Sequence, residues 1–173
     1  SVKIVHQLLE QHADITYVLD PFSGTGTTGL VCAEHGLRCD LVDVNPFLVW
    51  LARVKTANYE ASHLGEAQEV ANRILGAVCS TDSEDDLWVP TIHNIERWWS
   101  DARLAILARV FQRLNQELPD SSPAKDLLLV SFCRLVIQWS NASFGHQSMS
   151  FKQPSNASGG WSDQTGVSAA ECA

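Results

Sequence analysis

Residues 20–28 read Asp-Pro-Phe-Ser-Gly-Thr-Gly-Thr-Thr, and Asp43 follows in Leu-Val-Asp-Val-Asn-Pro at 41–46. The pairing of a glycine turn with two carboxylates is the part of the chain with the clearest chemistry. Glycines let backbone N–H groups approach a ligand closely and permit left-handed turns. A carboxylate at the tip of the following strand can accept both hydroxyl protons of a ribose. Together these residues suit a nucleoside-containing cofactor.

The elements that must position them are legible nearby. Residues 15–19 form a short β-branched and apolar run that ends at Asp20, the pattern of a buried strand. Residues 27–35 carry helical apolar spacing, and residues 39–42 read as a second strand ending at Asp43. Strand, glycine turn, helix and second strand form one unit. Gly24, Gly26 and Gly29 make a literal G-x-G-x-x-G, which by itself also allows NAD. Gly24 and Gly29 have P-loop spacing too, but Leu30 and Val31 stand where that loop needs Lys and Ser or Thr, so a triphosphate would lack its cationic partner. Asp20 decides between the others. A carboxylate beside a pyrophosphate is repelled, whereas beside the sulfonium and ammonium of S-adenosylmethionine it is attracted.

The string Asp20-Pro21-Phe22-Ser23-Gly24-Thr25-Gly26-Thr27-Thr28, followed by Asp43-Val44-Asn45, resembles the cofactor-binding half of the DNA amino-methyltransferases, which methylate adenine N6 or cytosine N4. The resemblance spans residues 1–58. It implies an α/β, Rossmann-like fold that binds S-adenosylmethionine, with Asp20, Pro21, Phe22, Ser23, Gly24, Gly26, Thr27 and Thr28 on the methionine side. It places Asp43 at the ribose and Val44 and Asn45 beside the adenine. DNA methylation of the restriction–modification kind is the activity it implies, and the five cysteines without C-x-x-C spacing place the chain in a reducing, cytoplasmic compartment.

One part of that family's pattern is missing. Its catalytic signature is an Asp, Asn or Ser, then Pro-Pro, then an aromatic residue whose ring stacks on a flipped base. No Pro-Pro pair occurs in this chain, and Gln153-Pro154-Ser155-Asn156 lacks both the second proline and the ring. No catalytic residue can therefore be assigned, and the chain by itself is expected to be inactive. The chain also opens at Ser1. The expectation is a fragment, one half of a split enzyme, or a cofactor-binding relic. The alternatives are a non-catalytic cofactor-binding or interaction domain, a methyltransferase for RNA or a small molecule, and, less favoured, an NAD-dependent enzyme.

Whole-chain properties narrow the partners. A net charge of −8, from 12 Lys and Arg against 20 Asp and Glu, disfavours unaided binding to polyanionic DNA. DNA contact is therefore assigned to segments absent from this chain, or to a second polypeptide carrying the catalytic motif. Arg97, Arg103, Arg109 and Arg113 read as a solvated helix face, and residues 82–86 as a solvated acidic loop. Five cysteines without C-x-x-C spacing argue for reduced thiols and against a zinc site. No apolar run reaches membrane-spanning length, so no membrane partner is expected.

The remaining pattern is mainly helical. Residues 2–12, 47–58 with Pro46 at the first position, 63–79, 101–118 and 123–140 all carry helical spacing. Residues 119–123 form a turn, with Ser122 as the cap and Pro123 opening the last helix. The last two helices read as an antiparallel pair inserted after the second strand. Residues 86–90 are the one weak candidate for a further strand, so the sheet is expected to be incomplete. The tryptophans, including the Trp98-Trp99 pair, read as core side chains in preference to base-stacking ones. Residues 155–173 are rich in Ser, Gly and Ala and are expected to be irregular. The expected organisation is a cofactor-binding domain over 1–145, with a helical insertion at about 60–140, and a tail at 146–173.

Overall fold

The computed structural model describes residues 2–80, 87–143 and 150–151. The acidic run 82–86, the peptide 144–149, Gln153-Pro154-Ser155-Asn156 and the tail expected to be irregular lie outside them. The described chain is mixed α/β, mostly helical, with a small parallel sheet. It divides into two compact units, Ser1–His63 and Leu64–Ala173.

The first unit holds helix α1 (Val2–Gln11), strand β1 (Tyr17–Asp20), helix α2 (Thr27–Glu34), strand β2 (Arg38–Leu41) and helix α3 (Pro46–Thr56). The strands pair in parallel, with Tyr17 opposite Arg38 and Asp20 opposite Leu41. A parallel pair needs a crossover, and α2 supplies it. The core joins Leu9 of α1 to Val31 and Cys32 of α2, with Val5, Val18, Leu37 and Cys39 packed around them. One face of the sheet, carrying Val18 and Cys39, is thus covered. The other carries Tyr17, Leu19, Arg38 and Asp40, all exposed. Parallel sheets are ordinarily buried on both faces, so this one is half-dressed. On the open face the Tyr17 hydroxyl donates to Asp40 Oδ2 at 2.8 Å, and that bond holds the phenol proton, raising the Tyr17 pKa. Helix α3 begins as its sequence demands: the Asn45 side chain accepts the Phe47 N–H at 3.0 Å, and Pro46 occupies the first turn, where its missing N–H costs nothing.

The second unit is built from α4 (Ala61–Ser80), whose first turn precedes it, α5 (Asp101–Glu117) and α6 (Pro123–Trp139). Its core brings Ala67, Val70 and Ile74 of α4 against Leu114 of α5, Leu118 and Ala124. The turn at 119–122 closes with Ser122 N–H on the Pro119 carbonyl at 3.0 Å. Ser122 caps α6 by accepting from Lys125 N at 3.4 Å. The buried Lys125 ammonium meets Asp120 Oδ1 at 2.6 Å, which holds the Asp120 carboxyl below its ordinary range.

Two expectations need correction here. Residues 87–90 form no strand. Their apolar side chains serve helix packing: the Trp88 ring lies 5.6 Å from that of Phe111 on α5. The arginines do not make one solvated helix face. Arg97 sits in a 3-10 turn at Ile95–Arg97, with its guanidinium 4.5 Å over the Phe151 ring. Arg103 Nη1 donates to the Trp139 carbonyl at 3.2 Å, and Arg109 and Arg113 are half-buried. Trp99 behaves as a core residue: its indole N–H donates to the Val136 carbonyl at 2.9 Å. A two-residue antiparallel ladder, β3 (Ala142–Ser143) with β4 (Ser150–Phe151), presents Phe151 edge-on to Trp98 at 5.1 Å.

Candidate functional site

The candidate site lies at the carboxyl ends of β1 and β2, where open α/β sheets bind ligands. Asp20 is the last residue of β1, and its carboxylate is occupied locally. Oδ1 accepts the Phe22 N–H at 3.1 Å, and Oδ2 accepts the Thr28 hydroxyl at 2.5 Å. The turn between β1 and α2 is thereby tied at both its ends to one carboxylate. The Ser23 N–H reaches back to the Val42 carbonyl at 3.0 Å, and the Val42 N–H to the Asp20 carbonyl at 2.9 Å. These two bonds extend the pairing past the strands and set the turn beside Asp43.

Asp43 closes the arrangement. Its Oδ2 accepts the Gly24 N–H at 2.9 Å, and its Oδ1 accepts the Asn45 N–H at 2.8 Å. A carboxylate offers about four lone-pair directions, so each oxygen keeps one for a further donor. The carboxylate is thus held in place by two backbone bonds before any ligand arrives.

The glycines have separate reasons. Gly24 has φ +51°, and a Cβ there would point into open space, so its backbone conformation demands glycine while its surroundings leave room. Gly26 has φ +77° and caps α2; a Cβ on it would lie 2.6 Å from the Ala52 Cβ of α3. Gly29 lets α2 press onto β2, since a Cβ would lie 2.6 Å from Leu41 Cδ1.

The structure brings Asp20, Pro21, Phe22, Ser23, Gly24, Gly26, Thr27 and Thr28 into one turn and sets Asp43 against it. Ser23 and Gly26 are buried and Thr27 and Thr28 half-buried, whereas Phe22 and Val44 are 88% and 100% exposed. The Asn45 side-chain oxygen caps α3 by accepting the Phe47 N–H. Sequence reasoning missed Lys55, whose Nζ donates to the Thr25 carbonyl at 2.7 Å across the turn. A lysine in the last turn of a helix carries no spacing signal that would have found it. Among the described residues no group of three or more His, Cys, Asp or Glu side chains is arranged to hold a metal ion. No helix of the described residues is long and apolar enough to cross a membrane.

Sixty-three residues of the chain are 33% identical to the type II methyltransferase M.MjaII of Methanocaldococcus jannaschii. The match takes in 36% of this chain and 12% of that protein, so the shared part is a small piece of the relative. It supports a methyltransferase-like character for this chain in general terms. No family model matches the chain, and no solved structure matches it.

Proposed function

We propose that this chain is the S-adenosylmethionine-binding portion of a DNA methyltransferase acting on an exocyclic amine of adenine or cytosine, with a Rossmann-like fold centred on β1, α2 and β2. The observation that carries the reading is the Asp43 carboxylate, fixed by the Gly24 and Asn45 N–H groups with lone pairs to spare. Asp43 would take the ribose hydroxyls. Val44 and Asn45 would flank the adenine and Phe22 would line the methionine side, and the open space beside Gly24 admits the backbone approach that the ligand needs. Two carboxylates, Asp20 and Asp43, stand at the turn against the single ammonium of Lys55, a balance that fits a cationic ligand better than a pyrophosphate. The bound cofactor supplies an electrophilic methyl group. The chain's own residues bind and orient it and exclude water at the turn, which is the share of catalysis that positioning contributes.

DNA, and the base-stacking residues that act on it, belong to a region beyond this sequence or to a second polypeptide. The exposed sheet face with Tyr17 and Leu19 supports this, since a finished parallel sheet would cover it. A non-catalytic cofactor-binding module is the second reading, favoured by the missing Pro-Pro-aromatic signature.

Calorimetric titration tests the proposal. S-adenosylmethionine and S-adenosylhomocysteine bind, and NAD does not. Asp43→Ala weakens binding by about ten- to a hundredfold, since charge-assisted hydrogen bonds are worth roughly 1.5–3 kcal/mol each. Binding of NAD without any response to the methyl donor or its product would overturn the assignment.

A further inference from the structure

The second unit contains a cavity of about 310 Å³ between α5, α6 and the segment that precedes α5. Trp88, Ile92, Trp99, Leu104, Phe111 and Phe132 form part of its wall. The lining presents apolar surface alone. The Trp99 indole N–H is already satisfied by the Val136 carbonyl. A guest therefore meets no donor or acceptor in need of a partner, and a charged or strongly polar guest would lose its hydration without return.

The shape of the lining points further. Trp88, Phe111 and Phe132 form a ladder of rings, with centroids 5.6 Å apart at each step and the Phe111 and Phe132 planes inclined by only 29°. Aromatic side chains gathered in one wall favour a flat aromatic guest, since offset or edge-to-face ring contacts add about 0.5–1.5 kcal/mol beyond area burial. Size sets the scale: an apolar cavity of about 150 Å³ holds benzene, so this one has room for two fused rings. Trp88 and Ile92 are 63% and 42% exposed, and they form the rim through which a guest enters.

We propose that this cavity is a binding site for a neutral, planar, apolar molecule of about two fused aromatic rings. It is separate from the glycine turn, shares no residue with it and does not depend on the cofactor reading.

The test uses the full 173-residue chain and naphthalene as the probe, with naphthalene-1-sulfonate as the charged counterpart. Naphthalene quenches tryptophan fluorescence saturably and raises the thermal midpoint, while the sulfonate does neither at equal concentration. Ala108→Phe, which fills the cavity from a buried position on α5, weakens naphthalene binding at least about tenfold, a loss of about 1.4 kcal/mol. Leu104→Phe, on the same helix, serves as the second filling variant, and circular dichroism verifies that each is folded. Absence of saturable binding by the wild-type chain, equal binding of the sulfonate, or undiminished binding by folded filling variants would each overturn the proposal.

Discussion

The two units of this chain are held together by different physics. In the second unit, three helices bury a core of aliphatic side chains, and Leu114, Val70 and Ala124 are all but inaccessible. The turn between α5 and α6 is short and capped at Ser122. In the first unit the buried cluster is small, reducing to Leu9, Val31 and Cys32 with their half-buried neighbours. Its organisation rests more on polar ties. Asp20 takes the Phe22 N–H and the Thr28 hydroxyl, Asp43 takes the Gly24 and Asn45 N–H groups, and Lys55 holds the turn between β1 and α2 from α3. The same unit leaves Phe22, Leu19 and Val44 in solvent. The first unit fixes two carboxylates at an open polar turn, whereas the second draws its order from a packed aliphatic core and leaves Trp88 and Ile92 exposed at its cavity.

That contrast can be broken by mutation. Leu114→Ala should have the largest effect, about 2–5 kcal/mol, because it empties a packed site in the helical core. Amide hydrogen exchange should show faster opening in α4, α5 and α6 with little change at 17–45. Gly26→Ala should act on the other side. It places a methyl group against Ala52 at a positive φ, and strain with overpacking costs about 2–4 kcal/mol. Exchange should then rise in α2 and α3, and cofactor affinity should fall with it. Protection lost throughout the chain in either variant would mean that the units unfold as one.

A smaller effect concerns a thiol. Burial is the main cause that pushes the Cys39 pKa up to about 11, and the neighbouring Cys32 adds to it. Thiolate is the reactive form, so at pH 8 Cys39 should alkylate about a hundredfold more slowly than a cysteine of ordinary pKa 9.0. Its rate should keep rising with pH up to about 11, where an ordinary cysteine has levelled off. Mass spectrometry of iodoacetamide-treated protein reads this directly. A rate that levels near pH 9 would show that the face of β2 carrying Cys39 is open to water.

Much of the frame was legible in the sequence because local rules were obeyed consistently. Proline at the first helical position marked α3 and α6, and apolar spacing marked all six helices. The glycines announced the turn because only they take φ +51° and +77° without cost. What the sequence hid were long-range uses of ordinary residues. Trp88 and Pro90 sat in an apolar stretch that resembles a strand, yet Leu87–Pro90 pairs with no strand among the described residues, and the Trp88 ring packs on Phe111 of α5 instead. The arginines looked like a helix face because periodicity says nothing about a carbonyl at Trp139 or a ring at Phe151. In the candidate site, Asp20 and Asp43 were visible by type and spacing. That Asn45 would spend its side chain on the α3 cap, and that Lys55 would reach Thr25, depended on how α3 folds back on the turn.

The central claim is that the polar turn of the first unit receives the methyl donor. Amide chemical-shift mapping of the isotope-labelled chain titrated with S-adenosylhomocysteine tests it most directly. The account predicts the largest shifts at Phe22, Gly24 and Asn45, whose N–H groups rest on the two carboxylates, with α4 to α6 unmoved. Shifts confined to the helical unit, or none anywhere in a folded chain at saturating ligand, would contradict it.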